Sequence, residues 1–430
     1  MRKMIHLSGL LALILLASTC VLAQQAQEAK PSAPMTLQEC IDLAMRNQTD
    51  LVIGRNNLTV AKSKVMSANS SYFPQVSIDN IAFHSGTGVL NKTTNGTALT
   101  VGQNIYDGGL REAGVQGARY GAKASSAGLE RTVQMVKFDV TAAYYDVLRA
   151  KHLAEVADAG VTYNLELRDQ IKSLAELGSA ATVDVLPVEA QLANARVTLL
   201  IAQNSVRTAA LNLQSAMGSF PQAGFDVVDV TSVPEPDIQP LEAYSKTAFV
   251  ARPDIIQTKA LSGVASASTR TARISLYPRP VITAGYQHSI QGGFTDSGSQ
   301  IVGGIAWDIF DGGANRAAYK AARANQDSAA QQELQLSRDI ESQVEEAYLN
   351  LTNSKERLAA SELGLAAAQS NYDVQKEKYN QNLAIALDLL NAEVQLTTAK
   401  SNVVQSRYDY YTAIAQMDFA VGKQGGPNGE

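Results

Sequence analysis

Two aspartates, each followed by a pair of glycines, come nearest in type and spacing to doing chemistry. They lie in Tyr106-Asp107-Gly108-Gly109 and Phe310-Asp311-Gly312-Gly313, where strand-like alternation gives way to a helical pattern. A phosphate-binding loop also joins strand to glycines to helix, but it needs GxGxxG or Gly-Lys-Ser/Thr, and an acidic side chain has the wrong charge for phosphate. Neither motif occurs here. The turns are therefore structural: glycine permits positive φ or close approach, and aspartate can cap the helix that follows. Other candidates fall away as quickly. His6, His84, His152 and His288 are isolated, and there is no nucleophile elbow, pair of catalytic acids or Cys/His cluster. The chain does not read as an enzyme, and no catalytic, cofactor-binding or metal-ligating residue is expected.

The elements that carry these turns occur twice. Tyr106 and Phe310 are 204 residues apart (310 − 106 = 204), and the same offset takes Phe73-Pro74 to Tyr277-Pro278 and Ala143-Tyr144 to Ala347-Tyr348. It also takes Asp184 to Asp388, Glu189 to Glu393, and Gly218 to Gly422. One offset holding from Leu37/Leu241 to Gly218/Gly422 means two copies of one unit, and a two-copy chain builds something pseudo-symmetric.

The ends and the composition narrow the class. Arg2 and Lys3 precede a short apolar run, Leu10 to Ala17, and Val21-Leu22-Ala23 offers small residues at cleavage spacing. Residues 1–23 thus read as an export signal, being far short of the ~20 apolar residues of a spanning helix. Cys20 leaves a second reading open, acylation at that cysteine, although Thr19 is a poor residue before one. Cleavage after Ala23 leaves Cys40 alone, so no intrachain disulfide is expected. No later stretch reads as a transmembrane helix. The net charge is −5 with no basic block, which argues against nucleic acid and anionic membrane surfaces as partners. Aromatics are only 6%, and the apolar residues are largely Ala, Val and Leu, as in closely packed helices with wetted faces.

Each copy runs short helix, helix, two strands, very long helix, helix. The first repeat is 24–218, with hairpin strands at about 75–107, a long helix at about 109–176 and a return helix at about 182–218. A 219–239 linker follows. The second repeat is 240–422, with strands at about 279–310, a long helix at about 313–381 and a return helix at about 384–421, before a polar tail, 423–430. Thr36 and Glu39 form a capping-box pattern. The strands alternate, with Leu99, Val101 and Ile105 against Thr100, Gly102 and Asn104, and their length of about ten residues would cross an outer membrane if tilted. The loops between them are expected at His84 to Thr97 and Ser289 to Ser299. Along the second long segment Val344, Leu351, Leu358, Leu365 and Tyr372 recur every seven residues, beside a smaller seam of Ile340, Ala347, Ser354, Ser361 and Ala368. That spacing describes helices packed side by side.

These features in combination resemble the TolC family of outer-membrane efflux and secretion channels. The resemblance covers nearly the whole mature chain. It rests on the duplicated unit, the paired Asp-Gly-Gly turns, the aromatic-proline before each hairpin, and the segments Leu177-Gly178 to Gln191 and Asn382 to Gln395. It implies an α+β, mostly α fold. Three protomers would build a twelve-stranded outer-membrane barrel continuous with a twelve-helix periplasmic tube. Leu177, Gly178 and Ser179 would then form one adaptor-docking tip, and Asn382, Leu383 and Ala384 the other, where the usual glycine is Asn382. Asp388, with Asn391 where relatives carry a second acid, falls on the periplasmic aperture, and Asp184 is its first-copy counterpart. Both aspartates can also be read as helix caps. The implied partners are two further copies, a periplasmic adaptor, an inner-membrane pump and outer-membrane lipid. The implied place is the outer membrane, with the tube in the periplasm. The alternative is a periplasmic adaptor or scaffold coiled coil without a pore, which explains the heptads but not two hairpins.

Overall fold

The computed structural model describes residues 34–85, 92–177, 183, 185–222, 224–230, 233–291, 294–381 and 383–423. The expected export signal and nearly all of the expected tail lie outside them.

Helix α1, Leu37–Asn47, opens on a reciprocal cap: the Thr36 hydroxyl accepts the Glu39 N–H and the Glu39 carboxylate accepts the Thr36 N–H at 2.7 Å. Helix α2, Thr49–Ser70, leads to the hairpin β1, Gln75–Ser85, and β2, Lys92–Tyr106. Helix α3, Leu110–Glu176, then runs 67 residues, about 100 Å at the helical rise, and α4, Val185–Ala216, returns along it. The second repeat follows the same plan: α5, Leu241–Ala251; α6, Pro253–Ile274; β3, Arg279–Gln291; β4, Phe294–Ala306; α7, Ala314–Asn380; and α8, Ala386–Val421. Both bounds of α1, α2 and α3 reappear in α5, α6 and α7 at the 204-residue offset. Backbone geometry repeats too, since Gly218 and Gly422 have φ of 66° and 77°.

Two expectations need correction. The strands span 11 to 15 residues rather than about ten, and the loops are shorter than expected. The Gly, Ser, Thr and Asn residues assigned to the loops continue the ladder, as in His84↔Thr93 and Ser289↔Asp296, because pairing is a backbone property. Helix α4 is also apolar enough, with a mean hydropathy of 1.2 over its best 18 residues, to pass as a membrane span by length and composition. It is the one such helix among the described residues. Its apolar side chains are interspersed with Glu189, Gln191, Asn194, Arg196, Gln203, Asn204 and Arg207, so no uninterrupted run marks them in the sequence.

The four strands form one antiparallel sheet in the order β1-β2-β3-β4. Its register sorts the side chains. Val76 and Ile78 lie opposite Val101 and Leu99; Val101 lies opposite Tyr286, and Ala284 opposite Ile301, so these share one face with Ile282 and Ile305. Ser77, Asp79, Thr100, Gly102, Thr283, Gln287 and Gln300 take the other face.

Below the sheet the core is strung along the shaft in three clusters. One joins α1, α3 and α4 through Leu37, Ile41, Val140, Tyr144, Leu148 and Leu213. Its second-repeat counterpart gathers Ala248, Ile340, Val344, Ala347, Leu351 and Met417, which include the upper part of both heptad seams. The third lies at the far end, with Leu167, Ile171, Val188, Leu389 and Leu390. The segment between the repeats lies across the middle of α3: Tyr144 donates to the Val228 carbonyl at 2.6 Å and Lys151 pairs with Asp226 at 2.7 Å.

Candidate functional site

The site is distributed along the shaft. Where strand meets helix, Gly109 and Gly313 are the N-caps of α3 and α7 and both hold left-handed φ, 91° and 93°. A glycine N-cap has no side chain to offer, so the aspartate two residues earlier does the capping. The Asp107 carboxylate accepts the N–H groups of Gly109 and Arg111 at 3.2 and 3.0 Å, and Asp311 accepts those of Gly313 and Asn315 at 2.8 and 2.6 Å. These bonds hold the Asp311 carboxyl below the usual carboxylate range, that from Asn315 contributing most. Gly108 is hemmed in by Arg279, whereas Gly312 has open space around it.

Around these turns stand aromatic side chains whose role the sequence reading did not assign. Phe73, Tyr106, Tyr277, Trp307 and Phe310 are all exposed at the base of the sheet. The repeated pairs Phe73/Tyr277 and Tyr106/Phe310 were the available signal. Rings with an apolar body and a polar edge collect at the boundary between hydrocarbon and water.

At the far end, α3 is C-capped by Leu177 and α7 by Gln381. Leu177 is 79% exposed and Leu383 72% exposed, and Ala384 is half-buried beside it. The Leu383 N–H reaches back to the Lys378 carbonyl at 2.7 Å, a six-to-one bond that closes α7. Gly178, Ser179, Asp184 and Asn382 lie outside the described residues.

Helix α8 begins after Ile385, its N-cap, which makes no side-chain capping bond. Asp388 is therefore not the N-cap residue. It stands exposed in the first turn, where the helix dipole favours a negative charge, and Asn391 is exposed one turn further along the same face. Two residues beyond Asn391, Glu393 is turned inward and only 5% exposed. It accepts the Thr397 hydroxyl at 2.8 Å and lies against Gly160 and Asn164 of α3. Burial pushes its carboxyl above the ordinary value, and the bonds from Thr397 and Asn164 only partly offset this. The sequence had marked Glu393 as a repeated position, not as a buried acid. Among the described residues no group of acids, histidines or cysteines could hold a metal ion.

Comparison with known proteins gives this geometry a family. The sequence profile described as outer membrane efflux protein matches twice, at residues 40–219 and 245–423, once for each repeat. The outer membrane efflux protein BepC of Brucella suis is 24% identical over 420 residues, covering 96% of this chain and 90% of its own. Outer membrane protein TolC of Escherichia coli is 23% identical over 391 residues, covering 84% and 77%. In fold, the crystal structure of the Campylobacter jejuni CmeC outer membrane channel matches with a TM-score of 0.81 at 16% identity, over 92% of this chain and 90% of that one. With both repeats matched by one profile, the chain belongs to the outer membrane efflux protein family, the family of TolC, and is a transport duct of the outer membrane, not an enzyme.

Proposed function

We propose that the chain forms, with two further copies, the passive exit duct of a tripartite efflux or type I secretion system. The observation that carries the reading is the sorting of the sheet: one register places most of the large apolar side chains on one face, with Gln103 and His288 among them, and mostly small or polar ones on the other, Val281 and Val302 apart. That is the pattern of a wall with lipid on one side and water on the other. Four strands cannot close on themselves, as the smallest membrane barrels have about eight, and an open edge in lipid leaves backbone groups unpaired. Three copies supply twelve strands without an edge. The segment 219–239 forms the waist of the tube.

Two shaft helices about 100 Å long then descend from the barrel. A pore-less adaptor would have no use for a sheet with an apolar outer face. The exposed ends at Leu177 and Leu383 are the surfaces for a periplasmic adaptor, which links the duct to an inner-membrane pump. Three Asp388 carboxylates brought together at the aperture favour cations and disfavour anions, while Asn391 leaves the second ring neutral. Opening proceeds by the inner helices swinging apart at the tips, after which cargo diffuses through the bore.

Photocrosslinking from Leu177 and Leu383 in cells, with the partners identified by mass spectrometry, tests the reading. Capture of an adaptor at either tip supports it. An outer-membrane trimer that captures none overturns the tripartite mechanism.

A further inference from the structure

The shaft carries two grooves at one level that match in position and differ in chemistry. One lies between α3, α4 and α8 and holds about 590 Å³; the other lies between α3, α7 and α8 and holds about 760 Å³. The offset of 204 maps the first onto the second. Leu153 and Ser205 line the one where Arg357 and Asp409 line the other, and Asp146 and Arg149 stand on a ridge that both share.

Both grooves open on the same side of the shaft. Tyr144, Lys151 and Lys355 hold the segment between the repeats through Val228, Asp226 and Glu235. Asp146, Arg149 and Arg357 each stand two residues from one of these, about 200° round the helix. The grooves therefore face away from the waist segment, toward the bore of the proposed duct.

The second groove is lined with charge. Arg149 pairs with Asp146 at 2.6 Å and with Asp409 at 3.3 Å, and Arg357 reaches Asp409 at 3.4 Å. In the first groove the network stops at the ridge. Leu153 replaces Arg357, Ser205 replaces Asp409, and Ile201, 63% exposed, replaces Gln405. Beyond Asp146 and Arg149 that groove has only apolar, hydroxyl and amide side chains. Apolar side chains facing a wet bore gain when an apolar body covers them.

The charge of the occupant follows from the ridge. Asp146 is half-exposed, and its one cationic partner among the described residues, Arg149, is shared with Asp409. Asp146, Asp409 and Glu356 face Arg149 and Arg357, an excess of one negative charge. A volume of about 590 Å³ suits a small organic molecule.

We propose that the first groove is a cargo-binding subsite in the bore wall, taking an organic cation whose apolar body lies on Leu153, Val156 and Ile201 and whose charge pairs with Asp146. The second groove, with Arg357 in the place of Leu153, rejects the same molecule. This rests on the trimeric duct reading and adds a selective wall to it: three copies set three such subsites round the bore, alternating with three charged grooves.

The test uses the full-length trimer in planar bilayers, with single-channel current as the readout and three probes. Tetraphenylphosphonium has a positive charge and an apolar body, tetramethylammonium the charge alone, and naphthalene-2-sulfonate an apolar body with the opposite charge. Tetraphenylphosphonium is expected to block the current at a concentration at least tenfold below either of the others. Leu153→Arg, Ile201→Gln and Asp146→Asn each write the second repeat's residue into the first groove, and each is expected to raise its half-blocking concentration at least fivefold. Ile201 and Asp146 lie outside the buried core, which keeps the test readable if Leu153→Arg does not fold. A conducting trimer that the three probes block alike, or whose block survives the substitutions, overturns the subsite and leaves the duct standing. Block lost in Asp388→Asn and kept in Ile201→Gln and Asp146→Asn also overturns it, since the cation then sits at the aperture. A wild-type chain that gives no conducting trimer overturns both.

Discussion

Glu393 is a carboxylate that the fold holds against its preference. Its folded-state value is raised above the ordinary 4.5 by burial. A raised acid binds more protons when folded than unfolded, so stability is lost as pH rises from about the unfolded value through the folded one. Glu393→Gln keeps an acceptor for Thr397 without the buried charge. It is expected to raise the melting temperature at neutral pH, and the gain to vanish below about pH 4.5; a thermal melt across pH checks both. Gly218 acts at the same scale through shape. Its φ is 66° and a Cβ there would lie 2.9 Å from the backbone of Asn47, so Gly218→Ala is expected to cost roughly 1–3 kcal/mol in denaturant unfolding. The repeat made this glycine legible in the sequence. Burial of Glu393 was not, because a carboxylate on a helix faces water far more often than a neighbouring helix.

Capping decides how the shaft begins. Asp107 and Asp311 serve helices whose N-caps are glycines, and each holds two N–H groups that have no partner within the helix. Asp311→Ala is expected to cost about 1 kcal/mol, read from the unfolding midpoint. The Asp-Gly-Gly pattern announced these turns, since strand, glycine pair and acid stand in that order in both copies. The far tips were less legible. Asp388 could be read as a cap or as an aperture residue, and the structure gives the N-cap position to Ile385. Asp388→Asn is expected to lower the cation preference of the conducting trimer in planar bilayers without changing its melting temperature by more than a degree or two, because an exposed first-turn charge is worth only ~0.3–1 kcal/mol.

At the scale of the molecule, the sheet and the shaft state what assembly must supply. Within one copy the sheet has two unpaired edges and α4 has exposed apolar side chains, which the proposed assembly with further copies would cover. Reconstituted in bilayers, the trimeric fraction is expected to conduct and the monomeric fraction not to; single-channel recording on sized fractions checks this. The sequence by itself determined the duplication, the order of elements and the absence of catalytic groups, because period, turn chemistry and residue type are local properties that a chain displays before it folds. It also carried the family. Which strand residues lie opposite one another and which acid on α8 turns inward were decided by the tertiary structure. Those outcomes depend on groups far apart in sequence meeting in one place, and the internal offset shows only where to look for them.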